Sequence, residues 1–188
     1  SAGPPRHWPE ARGVFVTHRR DLVAWVNEED HLKLISIEQG TDFRAAFRRF
    51  CLAEAGVRAS LQQHSASFAC SSRLGFLSSC PSSLGTSLCA EALAQLPLAS
   101  AKPGFRALCK RLGLLARSAA EQGDGLWSVS NLDRLGSSEV AQVNVVIEGV
   151  RQLVAVECRL ECGEDVNLDA LAVEAEAEVP RVRAQLGV

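Results

Sequence analysis

Two groups of residues have types and spacing that could do chemistry. The first is the run Glu28–His31, three carboxylates and an imidazole, which could bind a cationic substrate. The same run also fits a polar connection whose side chains bond to the backbone and hold two strand ends. The second is Cys80, which could be a reactive thiolate or an inert structural cysteine.

Two further cysteines, Cys158 and Cys162, lie four positions apart on a predicted helix and therefore on one face of it. They could belong to a metal site, but no second pair with zinc-ligand spacing follows and no histidine lies nearby. The chain has seven cysteines in 188 residues, and their spacing is not that of a disulfide framework. We therefore predict reduced thiols, no metal site and a reducing, cytoplasmic location.

Composition excludes two classes of partner. The chain is 47% hydrophobic and 22% charged, with a formal net charge of −2, so no overall basic field favours nucleic acid. The basic clusters at His18–Arg20 and Arg44–Arg49 are short enough for solvated surfaces. No apolar run approaches the ~20 residues of a membrane-spanning helix. The sequence contains no methionine, and we expect it to be a piece of a longer chain.

The first half of the chain predicts antiparallel strands followed by a helix. Short apolar runs at Gly13–Val16, Leu22–Val26 and Leu32–Ile37 are separated by polar connections, as in consecutive hairpins. From residue 41 to residue 63 the apolar residues recur every three or four positions, which predicts an amphipathic helix capped by Thr41 or Asp42.

The second half predicts strands mixed with helices. Strands are expected at Phe68–Cys80, Ser87–Leu98 and Leu126–Ser130, helices at Phe105–Leu115 and Ser137–Cys162, and a flexible loop at Arg117–Gly125. The apolar stripe of the long helix is predicted to be Val140, Val143, Val146, Ile147, Val150, Val154 and Leu160. The fold class is therefore α+β, a mostly antiparallel β-sheet flanked by helices. We expect an extended lead-in at 1–7, one domain at 8–168 and an acidic helix at 169–188 that carries Glu174, Glu176 and Glu178.

A collinear set of motifs resembles one enzyme family. The motifs are Trp8–Gly13, Trp25–Leu32, Leu74–Phe76, Cys80–Ser82, Leu84–Thr86, Leu96-Pro97, Ser130–Gly136 and Ser138–Val140. Over about residues 8–168 they resemble the C-terminal, glutamine synthetase-like catalytic domain of the phosphagen kinases, such as creatine and arginine kinase. The resemblance implies that domain's fold, incomplete at its N-terminal side, where the family has further strands and arginines.

The resemblance also implies roles for individual residues. Such enzymes move a phosphoryl group between ATP and a guanidino nitrogen, with carboxylates around the guanidinium and arginines around the phosphates. Glu29 matches the carboxylate that binds the guanidinium, and Cys80 matches the reactive cysteine. Arg134 matches an arginine of the phosphate cage, and Arg117 matches the arginine of a flexible loop. Lys33 stands where the family has a phosphate-binding arginine, and it keeps the charge but loses the bidentate fork.

Other positions depart further from the family pattern. Cys89 replaces an arginine, Glu91 a glycine, Leu93 a histidine near the adenine, and Ser128 an aspartate. The glycine-rich loop after the arginine is shorter and lacks its glycines. Each lost phosphate donor typically costs on the order of 10²–10³ in rate.

These losses predict a degenerate, pseudokinase-like domain in which Glu29 and Cys80 are vestigial and Arg134, Arg117 and Lys33 bind nucleotide weakly. It would act as a protein-interaction or self-association module, in a dimer or with a protein partner, inside a larger intracellular protein, and would need no cofactor. One alternative is a divergent phosphotransferase acting on creatine, arginine or protein arginine with Mg-ATP/ADP. Another is a nucleotide or guanidino-metabolite sensor without turnover. We predict no nucleic-acid and no membrane partner.

Overall fold

The computed structural model describes residues 10–173. These residues form two compact units. The first contains the described residues up to Ser71 together with Phe76–Pro81, and the second contains Ser72–Gly75 and the described residues from Ser82 onward. The expected lead-in at 1–7 and most of the expected acidic helix, with its three glutamates, lie outside the described residues, although residues 168–173 are helical.

The first unit is built on an antiparallel meander and one long helix. Its strands β1, β2 and β3 pair in chain order, with Val14 opposite Trp25 and Trp25 opposite Lys33. The bounds are β1 Gly13–Val16, β2 Leu22–Val26, β3 Leu32–Ser36 and α1 Phe43–Gln63. Asp42 caps α1, because its carboxylate accepts from the Ala45 N–H at 2.9 Å.

Arg49 links the helix of the first unit to its meander. It forms ion pairs with Asp21 at 3.2 Å and Glu38 at 2.6 Å, and it donates to the Ile37 carbonyl at 2.9 Å. The described part of this unit has no fully buried side chain, and α1 has none along its whole length. Polar contacts such as those of Arg49 therefore hold much of the helix against the meander in this unit.

The second unit contains the hydrophobic core. Three antiparallel strands lie in the order β6-β8-β7, so the strand that comes last in the chain is central. The bounds are β6 Glu91–Gln95, α2 Pro97–Ala101, α3 Phe105–Arg111, β7 Leu114–Ser118, β8 Leu126–Asn131 and α4 Glu139–Glu161. Leu96, Leu114, Val129, Val146, Leu153 and Leu168 are among the side chains that are fully buried.

Helix α4 packs closely on one face of the β6-β8-β7 sheet. Ser138 caps the helix by accepting from the Ala141 N–H at 3.3 Å. A Cβ added to Gly149 would lie 2.5 Å from Cδ1 of Leu114, so the absence of a side chain permits this contact. The carboxylate of Glu157, on the same buried side of α4, accepts the first N–H groups of α2.

The predicted fold class is confirmed, because antiparallel sheets combine with helices. Several element boundaries were wrong. The expected strand Phe68–Cys80 is a pair of two-residue strands, β4 (Cys70–Ser71) and β5 (Gly75–Phe76). Only Glu91–Gln95 of the expected strand Ser87–Leu98 is a strand, and it ends before Pro97, which is fixed near a helical φ and begins α2.

Two further predictions of secondary structure were wrong in the second unit. The helix predicted to reach Leu115 ends at Arg111, since Gly113 has a φ of +74° that stops it. Arg117, predicted in a flexible loop, lies on strand β7, where it pairs with Ser128 of β8. The apolar stripe predicted for α4 was partly wrong as well, because Val140, Ile147 and Val154 are exposed whereas Val143 and Val146 are buried.

Candidate active site

The acidic run forms the tip of the β2–β3 hairpin in the first unit. Asn27 adopts a left-handed φ of +55°, and its backbone N–H donates to the His31 carbonyl at 3.0 Å, which closes the turn. The Asn27 side chain donates to the Ala11 carbonyl at 2.7 Å and lies 3.1 Å from Nδ1 of His31. The turn is therefore fixed from two sides, and Glu28 and Glu29 are exposed at its tip.

The third carboxylate of the run is turned inward. Asp30 is half-buried, and its Oδ1 accepts from the Ser79 N–H at 2.7 Å while its Oδ2 accepts from the Ser78 hydroxyl at 2.9 Å. The Ser79 N–H is the main reason that the pKa of Asp30 lies below its ordinary value of 3.8, with partial burial opposing it and the Ser78 hydroxyl assisting. The Ser78 Oγ in turn accepts from the Cys80 N–H at 3.2 Å. The turn that carries Glu29 is thus joined to the segment that carries Cys80.

Lys33, the third candidate in this unit, lies on β3. Its ammonium group is 5.7 Å from the centre of the Trp25 ring, the residue opposite it on β2. The side chain is exposed, so the charge stays accessible to an anion.

In the second unit, Arg134 anchors the segment that leads into β6. Its Nε donates to the Leu88 carbonyl at 3.1 Å and its Nη1 to the Ser82 carbonyl at 2.5 Å. Both of these N–H groups bind backbone carbonyls of the same unit. Arg134 therefore shapes the loop as well as contributing positive charge.

Asn131 is a residue whose role sequence reasoning missed. It is 3% exposed at the end of β8, and it accepts from the Ala90 N–H at 2.8 Å and donates to the Leu88 carbonyl at 3.1 Å. Together with Arg134 it fixes both ends of the short segment that contains Cys89, whose thiol is exposed. The only sequence signal was its place inside the motif Ser130–Gly136.

Arg117 lies on the face of the sheet opposite to α4. Leu114 and Ala116 point to the buried face that packs on the helix, so Arg117, between Ala116 and Ser118, points to the other. Arg117 is directly opposite Ser128 of β8, and Ser128 is directly opposite Leu93 of β6. These positions therefore form one row, with neighbouring Cβ atoms about 5 Å apart.

The next row on this outer face has a different charge. Glu91 of β6 is directly opposite Ser130 of β8, which is opposite Leu115 of β7. Glu91 and Arg117 are both exposed. Among the residues of β6, β7 and β8, the outer face therefore presents one cation and one carboxylate. The sheet brings together Glu91, Leu93, Arg117 and Ser128, four positions that depart from or match the pattern of the family that the sequence resembles.

Within residues 10–173, no three His, Cys, Asp or Glu side chains are grouped so as to hold an ion. No disulfide joins any of the seven cysteines, all of which fall in this range. None of the described helices is long and apolar enough to cross a membrane. Burial raises the pKa of the Cys109 thiol to about 11.

Comparison with known proteins decides the family. The profile of the ATP:guanido phosphotransferase C-terminal catalytic domain matches residues 1–160. The chain belongs to the ATP:guanido phosphotransferase family. Flagellar creatine kinase of Strongylocentrotus purpuratus is 41% identical over 165 residues, which are 86% of this chain and 14% of that protein.

Solved structures of the ATP:guanido phosphotransferase family agree. Lombricine kinase matches with a TM-score of 0.81 at 34% identity, over 86% of this chain and 46% of that one. The duplicated taurocyamine kinase from Schistosoma mansoni, solved with bound transition-state-analogue components, matches with a TM-score of 0.75 at 34% identity, over 83% of this chain and 21% of that one. The chain spans less than half the length of each of these relatives.

These findings confirm the predicted family and fold. They do not show the predicted degeneracy, and the relatives are kinases by name. They favour the phosphotransferase alternative over the inactive interaction module that the substitutions predicted.

Proposed function

We propose that this chain is the catalytic lobe of a divergent ATP:guanido phosphotransferase. The observation that carries the proposal is the arrangement in the first unit, where the exposed Glu29 lies on a turn joined by hydrogen bonds to the Cys80 segment. A carboxylate and a thiol on two linked segments suit a guanidinium, which presents N–H donors and positive charge. Membership of the family supports the same reading.

The proposed reaction needs a nucleophile held in line and negative charge neutralised. Glu29 and Cys80 would orient the guanidino nitrogen, which attacks the terminal phosphorus of Mg-ATP. The new bond joins nitrogen to phosphorus, the bond from that phosphorus to ADP breaks, and the nitrogen loses a proton to the surrounding water. Within the second unit, Arg117 on the outer sheet face and Arg134, which holds the loop before β6, carry positive charge of the kind that suits nucleotide phosphates.

The test compares two adjacent carboxylates. Phosphoryl transfer from Mg-ATP to creatine and to arginine is measured for the unaltered chain, Glu29→Gln and Glu28→Gln. Both residues are exposed at the hairpin tip, so the variants remove the same charge one position apart. We expect Glu29→Gln to lower the rate by about 10² or more and Glu28→Gln to lower it much less. Transfer that is absent in the unaltered chain, or lowered equally by both variants, contradicts the proposal.

The second candidate is the non-catalytic interaction module. It is favoured by the outer sheet face, where Glu91 and Leu93 stand in place of the glycine and histidine of the family. It is also favoured by β1, an edge strand of the described sheet, whose Phe15 is 65% exposed. Exposed apolar residues on an edge strand can pair with another chain. In this case the lobe would bind a protein partner or a second copy.

Sedimentation of matched variants tests the interaction module. Phe15→Lys is compared with Leu52→Lys, because Leu52 on α1 is 66% exposed, the same as Phe15 within a percent. A dimer that Phe15→Lys dissociates and Leu52→Lys leaves intact supports the module. If the unaltered chain and both variants sediment as monomers, self-association is excluded.

A sensor without turnover is the third candidate. It predicts a rise in melting temperature with Mg-ADP or a guanidino compound and no phosphorylated product.

We further propose that the chain works in the reducing cytoplasm, consistent with seven cysteines and no disulfide among them. We also propose that any magnesium arrives with the nucleotide.

A further inference from the structure

Asp30 differs from the two glutamates before it on the same turn. Glu28 and Glu29 are exposed, whereas Asp30 is half-buried. A carboxylate leaves water only when hydrogen bonds replace its solvation. Its partners therefore identify what the buried position is for.

Both carboxylate oxygens of Asp30 bind one short segment far along the chain. Oδ2 accepts from the hydroxyl of Ser78, 48 residues later, and Oδ1 accepts from the backbone N–H of Ser79. Hydrogen bonds to a charged acceptor are stronger than those between neutral groups. All three residues belong to the first unit.

The link continues to the backbone of Cys80. The Ser78 hydroxyl donates to Asp30 and accepts from the Cys80 N–H at 3.2 Å, which uses its donor and one acceptor position. The backbone of Cys80 is thereby fixed to the hairpin through one intervening side chain. The Cys80 side chain is half-buried.

We propose that Asp30 is a positioning residue, which acts through Ser78 and Ser79 to hold the Cys80 segment at a fixed place relative to the turn that carries Glu29. The inference rests on the proposed function, because only that function requires Glu29 and Cys80 to act on the same substrate. Two groups that share one planar guanidinium must keep their separation, because a misplacement of about 1 Å can cost on the order of 10² in rate.

The test measures how fast Cys80 reacts. The full chain is treated with iodoacetamide under native conditions, and alkylation of each cysteine is followed by peptide mass spectrometry. Asp30→Ala and Ser78→Ala both break the link, and we expect each to raise the Cys80 rate about five- to tenfold, because the segment opens more often. Ser78→Thr keeps the hydroxyl and is expected to retain the slow rate. The exposed Cys158 serves as an internal reference.

Asp42→Ala is the matched control for general loosening. It also removes a carboxylate that accepts a backbone N–H in the first unit, at the start of α1. We expect it to leave the Cys80 rate unchanged. An unchanged Cys80 rate in Asp30→Ala and Ser78→Ala, or an equal rise in Asp42→Ala, overturns the inference.

A second arm separates this inference from the proposed function. Creatine or arginine is added during alkylation. Protection of Cys80 in the unaltered chain that is lost in Asp30→Ala and Ser78→Ala supports both the positioning role and guanidino binding. Faster alkylation in the two variants without protection in the unaltered chain supports the link and counts against guanidino binding. Protection that survives both substitutions overturns the positioning role alone.

Discussion

Glu157→Ala removes the carboxylate that caps helix α2 from inside the core of the second unit. Glu157 is 4% exposed, its Oε1 accepts from the Leu98 N–H at 2.8 Å and its Oε2 accepts from the Ala99 N–H at 2.7 Å. Ala99 is 0% exposed, so water cannot reach its N–H once the carboxylate is gone. Each unsatisfied donor costs about 1–3 kcal/mol, and removal of a buried charge recovers part of this, so we expect a loss of about 2–4 kcal/mol.

Unfolding of the second unit can be followed through its buried thiol. Cys109 is 1% exposed, and burial raises its pKa to about 11, so it is alkylated only when the unit opens. With a urea slope of about 2 kcal/mol per M, the expected loss lowers the midpoint by about 1–2 M. Peptide mass spectrometry reports the alkylation of Cys109 separately from that of the exposed cysteines.

Glu161→Ala is the matched control for this prediction. Glu161 lies one turn further along α4 and is exposed. We expect it to change the free energy of unfolding by no more than about 0.5 kcal/mol. Glu157→Gln keeps one acceptor oxygen and should fall between the two. Equal midpoints for Glu157→Ala and Glu161→Ala would refute the account of Glu157 as the cap of α2.

Three further predictions follow from the same structure. Gly149→Ala places a Cβ 2.5 Å from the buried Leu114, so we expect chemical denaturation to show a loss of about 1–3 kcal/mol. Glu91→Gln removes the carboxylate from the outer sheet face and should strengthen Mg-ADP binding in calorimetry; equal affinity means that the face does not meet the phosphates. The Ser79 N–H lowers the pKa of Asp30, so its stabilisation is present above about pH 4 and is lost as the pH falls through the folded-state pKa. Thermal melts of Asp30→Asn should therefore show a smaller loss of stability between pH 5 and about pH 3, and a loss equal to that of the unaltered chain contradicts the assignment.

The sequence predicts best where local chemistry decides the structure. The cap of α1 was predicted to be Thr41 or Asp42, and Asp42 fills it, because a side-chain oxygen just before an amphipathic run can accept the first N–H groups of a helix. The three strands of the first meander also have their predicted places, since the polar turns between them are short. Arg117 was misplaced because its neighbours are small and polar, whereas pairing with Ser128 on β8 makes the segment a strand.

Contacts distant in sequence account for what the pattern could not predict. The family motifs marked Glu29 and Cys80, but nothing in the spacing indicated that Asp30 joins them, because the hydrogen bonds connect residues 48 and 49 apart. The buried side of α4 was likewise set by Gly149 and Glu157, a residue with no side chain and a charged one. A pattern that counts only large apolar residues leaves out both Gly149 and Glu157. The stripe predicted for α4 therefore included Val140 and Val154, which are exposed.

The strand order β6-β8-β7 has a consequence for how the chain acquires its fold. Strands β6 and β7 do not pair with each other, and both pair with β8. During synthesis neither can form its ladder until β8, the last of the three in the chain, has left the ribosome. Until residue 131 is available, both strands expose unpaired backbone, and the core residue Val129 has not been added. Nascent chains that stop before β8 should therefore be prone to aggregation, and the rate of folding should depend on the arrival of this one strand.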